Sequence, residues 1–178
     1  MAKDRKIDLV ILGLLAHEEL TGYDIKKRID GAISYFWKGS FGSIYPSLNA
    51  MEQNGLVQKR KADDSGAREK IFYQITDSGR KVLCDWLRDE QACNDLKYET
   101  MLKLYFGGIE GREVTLRNID VFEKKIREDL EILKVYKDNL EKVMDEGDHL
   151  NYYLTVTFGI DTYEAYLKWC GKARKLLK

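Results

Sequence analysis

Gly42-Ser43-Ile44-Tyr45-Pro46-Ser47-Leu48-Asn49-Ala50-Met51-Glu52-Gln53-Asn54-Gly55 is the stretch on which the reading of this chain turns. Phe41 just before it, then Ile44, Leu48 and Met51, recur at steps of three, four and three, the period of one helix face. Ser40 opens the segment after a break at Gly39, and Gly55 stands where a helix ends in a left-handed glycine. Pro46 lacks an N–H and disturbs a helix least in its first turn, so a start near Gly42 or Ser43 is expected. With the apolar set inward, Ser43, Tyr45, Ser47 and Asn49 are expected outward. These are hydroxyls and an amide, able to donate to phosphates and base edges. Asn pairs bidentately with adenine in a major groove.

Upstream, residues 7–16 are apolar nearly all round and read as a buried helix. Thr21 precedes Asp24 by three, the arrangement of a helix start, and Ile25, Ile29, Ala32 and Ile33 follow as one stripe. Downstream the period changes to two. Residues 56–61 suit a strand, and 70–76 alternate Ile71, Tyr73 and Ile75 against Phe72, Gln74 and Thr76. The polar run 62–68 between them is turn-forming. A lone hairpin is marginal in water, so this one must lean on the helices. Thr76 and Asp77 can cap a further helix with Val82, Leu83, Trp86 and Leu87 on one face. The order helix–helix–helix–strand–turn–strand–helix is that of a winged helix-turn-helix, whose third helix suits a DNA major groove.

The second half reads as helical. Residues 95–109 carry Tyr98, Leu102, Tyr105 and Ile109. In 112–146, Ile119, Phe122, Ile126, Leu130, Leu133, Tyr136, Leu140 and Val143 recur at a mean step nearer the ~3.5 of a coiled coil than the ~3.6 of a free helix. The steps are not a clean heptad, so a coiled-coil seam and a bundle helix both stand. A last helix at about 149–176 is rich in aromatics. The expected fold is mostly α: a winged helix-turn-helix of three helices plus a two-stranded wing over 1–90, then a helical C-terminal domain over 91–178.

Composition narrows the function. The chain has 178 residues, with 30 Lys+Arg balancing 30 Asp+Glu, so it lacks the strongly basic signature of many nucleic-acid binders. The balance is local, however. Between Leu20 and Lys61 the seven basic residues Lys26, Lys27, Arg28, Lys38, Lys59, Arg60 and Lys61 face only Asp24, Asp30 and Glu52. On charge alone, DNA binding and a solvated surface stand about even. A single proline and 44% hydrophobic residues fit long helices in a globular protein. The apolar run at 7–16 is too short to span a bilayer, and Cys84, Cys93 and Cys170 are odd in number and far apart, which suits a reduced, cytoplasmic setting. Two histidines and three scattered cysteines make no zinc set, and no cofactor is expected. His17 beside Glu18 and Glu19 has no nucleophile or oxyanion donors in view, so no catalytic residues are assigned and an enzyme is not expected.

Several motifs occur together in order. Ile11-Leu12-Gly13-Leu14-Leu15, then Leu20-Thr21-Gly22-Tyr23-Asp24-Ile25, resembles the opening of PadR-family transcriptional regulators. Phe36-Trp37 followed by Gly42-Ser43-Ile44-Tyr45-Pro46-Ser47-Leu48 resembles that family's recognition helix, and Glu52-Gln53-Asn54-Gly55-Leu56-Val57 its exit. Phe72-Tyr73-Gln74-Ile75-Thr76-Asp77-Ser78-Gly79 looks like the second wing strand and the next helix start; 97–108 and 157–169 are similar to the longer-tailed helical half. The resemblance implies a homodimeric repressor whose helical C-terminal half, 91–178, is the dimerisation domain, and whose paired winged helices read a palindromic double-stranded operator until a small aromatic effector releases them. It carries DNA contact to Ser43, Tyr45, Pro46 and Asn49, with Arg68 and Lys70 at the wing; Lys38 and Ser40 flank the third helix and join the set. Asp63-Asp64 makes the wing acidic. Trp37, Trp86 and Trp169 are candidate platforms for a planar ligand, against the plainer reading of aromatics as core or interface. The alternative function is a winged-helix dimer that binds a protein partner instead of DNA.

Overall fold

The computed structural model describes residues 6–37, 41–61, 70–92, 94 and 97–178, with Phe41 as backbone only. Chain contacts divide into two compact units, Met1–Cys93 and Asn94–Lys178.

The first unit begins with α1 (Lys6–Leu15), which buries Ile7, Leu9, Ile11, Leu12 and Leu15. A short strand, β1 (Leu20–Thr21), leads into α2 (Gly22–Asp30). The Thr21 hydroxyl accepts from the Asp24 N–H at 3.2 Å, and the Asp24 carboxylate accepts from the Thr21 N–H at 3.3 Å. That reciprocal box is the start expected from the Thr-x-x-Asp spacing. The hydroxyl's hydrogen bond also holds the Asp24 carboxyl below its ordinary range. Single 3-10 turns at Ala32–Tyr35 and Phe41–Ser43 flank the approach to α3 (Ile44–Gln53). Pro46 therefore falls in the first turn of α3, where its missing N–H costs no helical bond. At the other end Gly55 takes φ +69°, and the Leu56 N–H returns to the Met51 carbonyl at 2.8 Å.

Strands β2 (Val57–Lys61) and β3 (Ile71–Ile75) pair antiparallel, with Lys59 opposite Tyr73. A third strand joins the expected two: β1 pairs with the other edge of β3, Leu20 opposite Tyr73, giving the order β1-β3-β2. Two residues are too few to show a period in sequence, yet Leu20 and Tyr73 are both buried and anchor the sheet to the core. Thr76 then caps α4 (Asp77–Arg88), accepting from the Gly79 N–H at 3.1 Å while donating to the Gly55 carbonyl at 2.7 Å. One threonine thus ties the exit of α3 to the entry of α4. Ile25, Ile29, Ile44, Leu48, Met51, Val57, Ile75 and Leu83 complete the core with α1.

The second unit contains α5 (Glu99–Tyr105), a 3-10 turn at Gly107–Ile109, α6 (Arg112–Leu140) and α7 (His149–Leu176). The helix expected through 146 stops at Leu140, and Gly147 with φ +49° helps turn the chain back, so Val143 lies past the helix end. Buried positions on α6 are Ile119, Glu123, Ile126, Leu130 and Leu133, at steps of four, three, four and three. That is a cleaner seam than the apolar letters suggested, because Glu123 takes the place given to Phe122. The seam packs against α7 of the same chain, where Val156, Ile160 and Cys170 are buried. The seam thus joins two helices of one chain and has the alternating four-three spacing of a heptad.

Glu123 is only 7% exposed, and such a charge must be paired. Arg127 Nε donates to it at 2.9 Å, Arg174 of α7 pairs with it, and Arg174 also donates to Asp120 at 2.8 and 3.0 Å. Burial pushes the Glu123 carboxyl up, but the two guanidiniums prevail and hold it below the ordinary glutamate range.

Candidate nucleic-acid interface

The two sides of α3 differ sharply. Ile44, Ser47, Leu48 and Met51 face the core, whereas Tyr45, Pro46 and Asn49 are exposed, and Ser43 is half-buried at the helix start. Ser47 corrects the sequence reading: it was expected outward and is 1% exposed. Positions 44, 47, 48 and 51 form one i, i+3, i+4, i+7 set, so helix geometry sends Ser47 inward whatever its polarity. The outward face is consequently narrower than the run of hydroxyls implied.

Tyr45 is 58% exposed but not loose. Its ring lies over the first residue of α2, where a Cβ on Gly22 would fall 2.6 Å from Tyr45 Cε1. A side chain at 22 would push that ring aside, so the glycine lets the Tyr45 ring rest against the start of α2. One turn on, Asn49 shares the face of Tyr45. Its Oδ1 accepts from Lys59 Nζ of β2 at 3.4 Å. Lys59 also pairs with Glu52, and its ammonium lies 5.9 Å from the centroid of the Tyr73 ring. The hydrogen bond with Glu52 raises the Lys59 pKa, so this ammonium stays charged.

The electrostatics are tighter than the residue count suggested. Arg28 pairs with Glu18 at 2.6 Å, Arg60 Nε donates to Glu19 at 2.8 Å, and Lys26 meets Asp30 at 3.0 Å. Glu18 and Glu19 lie just before the window in which basic residues dominated, and the fold brings them back onto it. Lys26–Asp30 is a local i, i+4 pair, but Arg28–Glu18 and Arg60–Glu19 join separate elements and leave no local mark in sequence.

Lys70 is exposed just before β3. Lys38, Ser40 and Arg68, with the acidic turn at Asp63-Asp64, lie outside the described residues. The tryptophans are dispersed. Trp37 packs against the first unit's core, and Trp86 on α4 has Lys6 Nζ 5.4 Å from its ring centroid. Trp169 belongs to the second unit, edge-on to Phe122 at 6.4 Å. Phe122 in turn contacts Tyr98 and Tyr166, and Tyr163 contacts Tyr166. The Tyr98 and Tyr166 hydroxyls are hydrogen-bonded, and burial followed by that bond pushes the Tyr98 phenol up. The members of this aromatic cluster come from α6, α7 and Tyr98 just before α5, so sequence shows only the density of aromatics in α7. Among the described residues, no group of three or more His, Cys, Asp or Glu could hold a metal, and no helix is long and apolar enough to cross a membrane.

Three helices, an antiparallel wing and a closing helix define a winged-helix protein, here followed by a helical unit. Residues 11–85 match the transcriptional regulator PadR-like family, and residues 96–178 match the virulence activator alpha C-terminal family. The chain is 30% identical over 173 residues to the negative transcriptional regulator PadR of Bacillus subtilis (strain 168), covering 93% of each protein. The crystal structure of Bacillus subtilis PadR in complex with operator DNA superposes with a TM-score of 0.83 at 29% identity, over 98% of this chain and 100% of that one. The structure of the same regulator with p-coumaric acid gives 0.74 at 28% identity, over 97% and 99%. The chain belongs to the PadR-like family of transcriptional regulators, and is a regulator rather than an enzyme.

Proposed function

We propose that this regulator is a repressor that binds a palindromic operator as a homodimer in the cytoplasm and leaves it when a small aromatic ligand binds. The observation that carries the reading is the outward face of α3, where Tyr45 and Asn49 stand exposed above a core-facing row. A lone helix of this kind fits the major groove. Ser43 and Pro46 join them at the helix start, with Lys38, Ser40, Arg68 and Lys70 as flanking and wing contacts. The full-length relative named a negative regulator, and its complex with operator DNA, support the same reading.

Residues 1–90 serve as the reading domain and 91–178 as the pairing and response domain. The second unit supports pairing through what it leaves uncovered. Leu102, Tyr105, Phe106 and Ile109 are exposed, with Tyr105 and Ile109 at 83%, and Leu150, Leu154 and Phe158 make a second exposed row on α7. Two-fold pairing of such faces would set two recognition helices about 34 Å apart, one DNA turn. The effector reading draws on the p-coumaric acid complex of the relative. Trp37, Trp86 and Trp169 are the proposed stacking residues, and Trp169 has the strongest support because it belongs to an aromatic cluster.

Selection of bound duplexes from a random pool tests the reading. Enrichment of a palindrome, reversed by a phenolic acid during the binding step, is the expected result. No enriched sequence would remove DNA recognition and leave the protein-partner alternative.

A further inference from the structure

We infer that Glu52 is a specificity-determining residue of the α3 face: by pairing with Lys59 it cancels charge beside Tyr45 and Asn49 and so suppresses binding to unrelated DNA. The inference rests on the proposed operator reading and names what keeps that reading selective.

Position comes first. Tyr45, Asn49 and Glu52 stand at i, i+4 and i+7, one stripe of α3. A carboxylate therefore lies on the stripe proposed to enter the groove, where by itself it would repel phosphates. Lys59 of β2 pairs with that carboxylate, and the same ammonium donates to Asn49 Oδ1 at 3.4 Å. Tyr73 backs the ammonium from the other side. It is buried, stands opposite Lys59 in the sheet, and has its ring centroid 5.9 Å from Nζ. Helix, wing and core thus converge on one matched pair of charges.

The pair bears on selectivity through the salt term. A cation that neutralises a DNA phosphate releases counterions, and each such contact steepens the fall of log affinity with log salt by about 0.9. That attraction is independent of sequence, so it raises binding to every duplex. An ammonium matched by a carboxylate brings no net charge to the face. For Lys59 to serve a phosphate it would have to leave Glu52 bare on the same stripe. Elsewhere in this unit Arg28 and Arg60 are matched in the same way, by Glu18 and Glu19. Sequence information then rests on base edges, which Tyr45 and Asn49 are placed to meet.

The experiment measures affinity across salt concentrations for a selected operator and for an unrelated duplex. It uses the full chain and its Glu52→Gln, Glu52→Gln with Lys59→Met, and Glu90→Gln variants. Glu52→Gln leaves the ammonium unmatched. Affinity for the unrelated duplex should rise about fivefold or more at low salt, and its salt slope should steepen by about 0.9. The ratio of operator to unrelated affinity should fall, which a mere strut between helix and wing would not produce. Replacing both partners removes both charges, and the unrelated-duplex slope should return to that of the unaltered chain. Glu90→Gln makes the same change of charge at an exposed position past α4 and should leave the slope where it was.

A slope shallower by about 0.9 in the joint variant would mean that Lys59 holds a phosphate despite Glu52, and overturns the inference. Equal steepening in Glu90→Gln also overturns it, since net charge alone would then suffice. So does unchanged unrelated affinity in Glu52→Gln; a preference for cytosine lost at one operator position would then make Glu52 a base reader, as carboxylates accept from cytosine N4. All three of these leave operator recognition standing, whereas a chain that enriches no operator removes the reading itself. Matching thermal melts exclude misfolding as the cause.

Discussion

The two units solve the burial problem differently. In the first, α1 to α4 and the small sheet close on a shared aliphatic core, with Ile11, Leu12, Ile25 and Leu48 fully inaccessible. In the second, α6 and α7 share one seam, interrupted by the buried Glu123, while Tyr105, Phe106, Ile109, Leu154 and Phe158 remain outside. The first unit encloses most of its aliphatic residues, although Phe36 and Leu87 remain exposed, so it can stand largely by itself. A unit that leaves such rows outside is built to be completed, because contiguous exposed apolar patches mark interaction sites. Under the proposed function, reading and pairing would be separated along the chain, so that the core of one need not answer to the interface of the other.

That contrast can be broken at its strongest point first. Leu48→Ala removes a fully buried side chain beneath the α3 face and should destabilise the first unit by about 3–4 kcal/mol. Hydrogen exchange followed by mass spectrometry should show lost protection within 6–88, with the α6–α7 seam unchanged; equal loss in both would deny their independence. Leu154→Glu together with Phe158→Glu attacks the other side. Sedimentation should show dimer affinity falling about 100-fold, near 2.7 kcal/mol, without loss of helix content. An unaltered dimer would put the pairing face elsewhere.

The smaller effects sharpen the comparison. Glu123→Gln should cost the second unit about 2 kcal/mol at neutral pH, as charge-assisted bonds to Arg127 and Arg174 weaken. Because the folded carboxyl is held below its unfolded value, its contribution is complete above the unfolded pKa and fades as pH falls through the folded one. Acid titration of stability should therefore be steeper in the unaltered chain than in Glu123→Gln. Thr21→Ala deletes the capping box of α2 and should cost about 1 kcal/mol, seen as faster exchange at the start of that helix.

What could be read from sequence follows from how local its physics is. The Thr21–Asp24 box, the Gly55 turn and the alternation of Ile71, Tyr73 and Ile75 are short-range signals, and each appears as an element boundary or a strand. Ser47 and Glu123 are buried because the helix period, not polarity, sets the direction of a side chain, and neither residue type marks a core position in sequence. The pairs Arg28–Glu18, Arg60–Glu19 and Lys59–Asn49 join residues separated in sequence, so charge balance around α3 and the orientation of its amide needed coordinates. The clustering of Tyr98, Phe122, Tyr166 and Trp169 is of the same kind.

The claim that the α3 face reads DNA is tested most directly by operator affinity measured across salt concentrations, for the unaltered chain and for Tyr45→Ala with Asn49→Ala. Phosphate neutralisation releases counterions, so log affinity of the unaltered chain should fall steeply and linearly with log salt. The double variant should bind the operator at least about 100-fold more weakly, approaching its affinity for unrelated duplex, with its fold intact. Operator affinity unchanged by the double substitution, or insensitive to salt, would contradict the account.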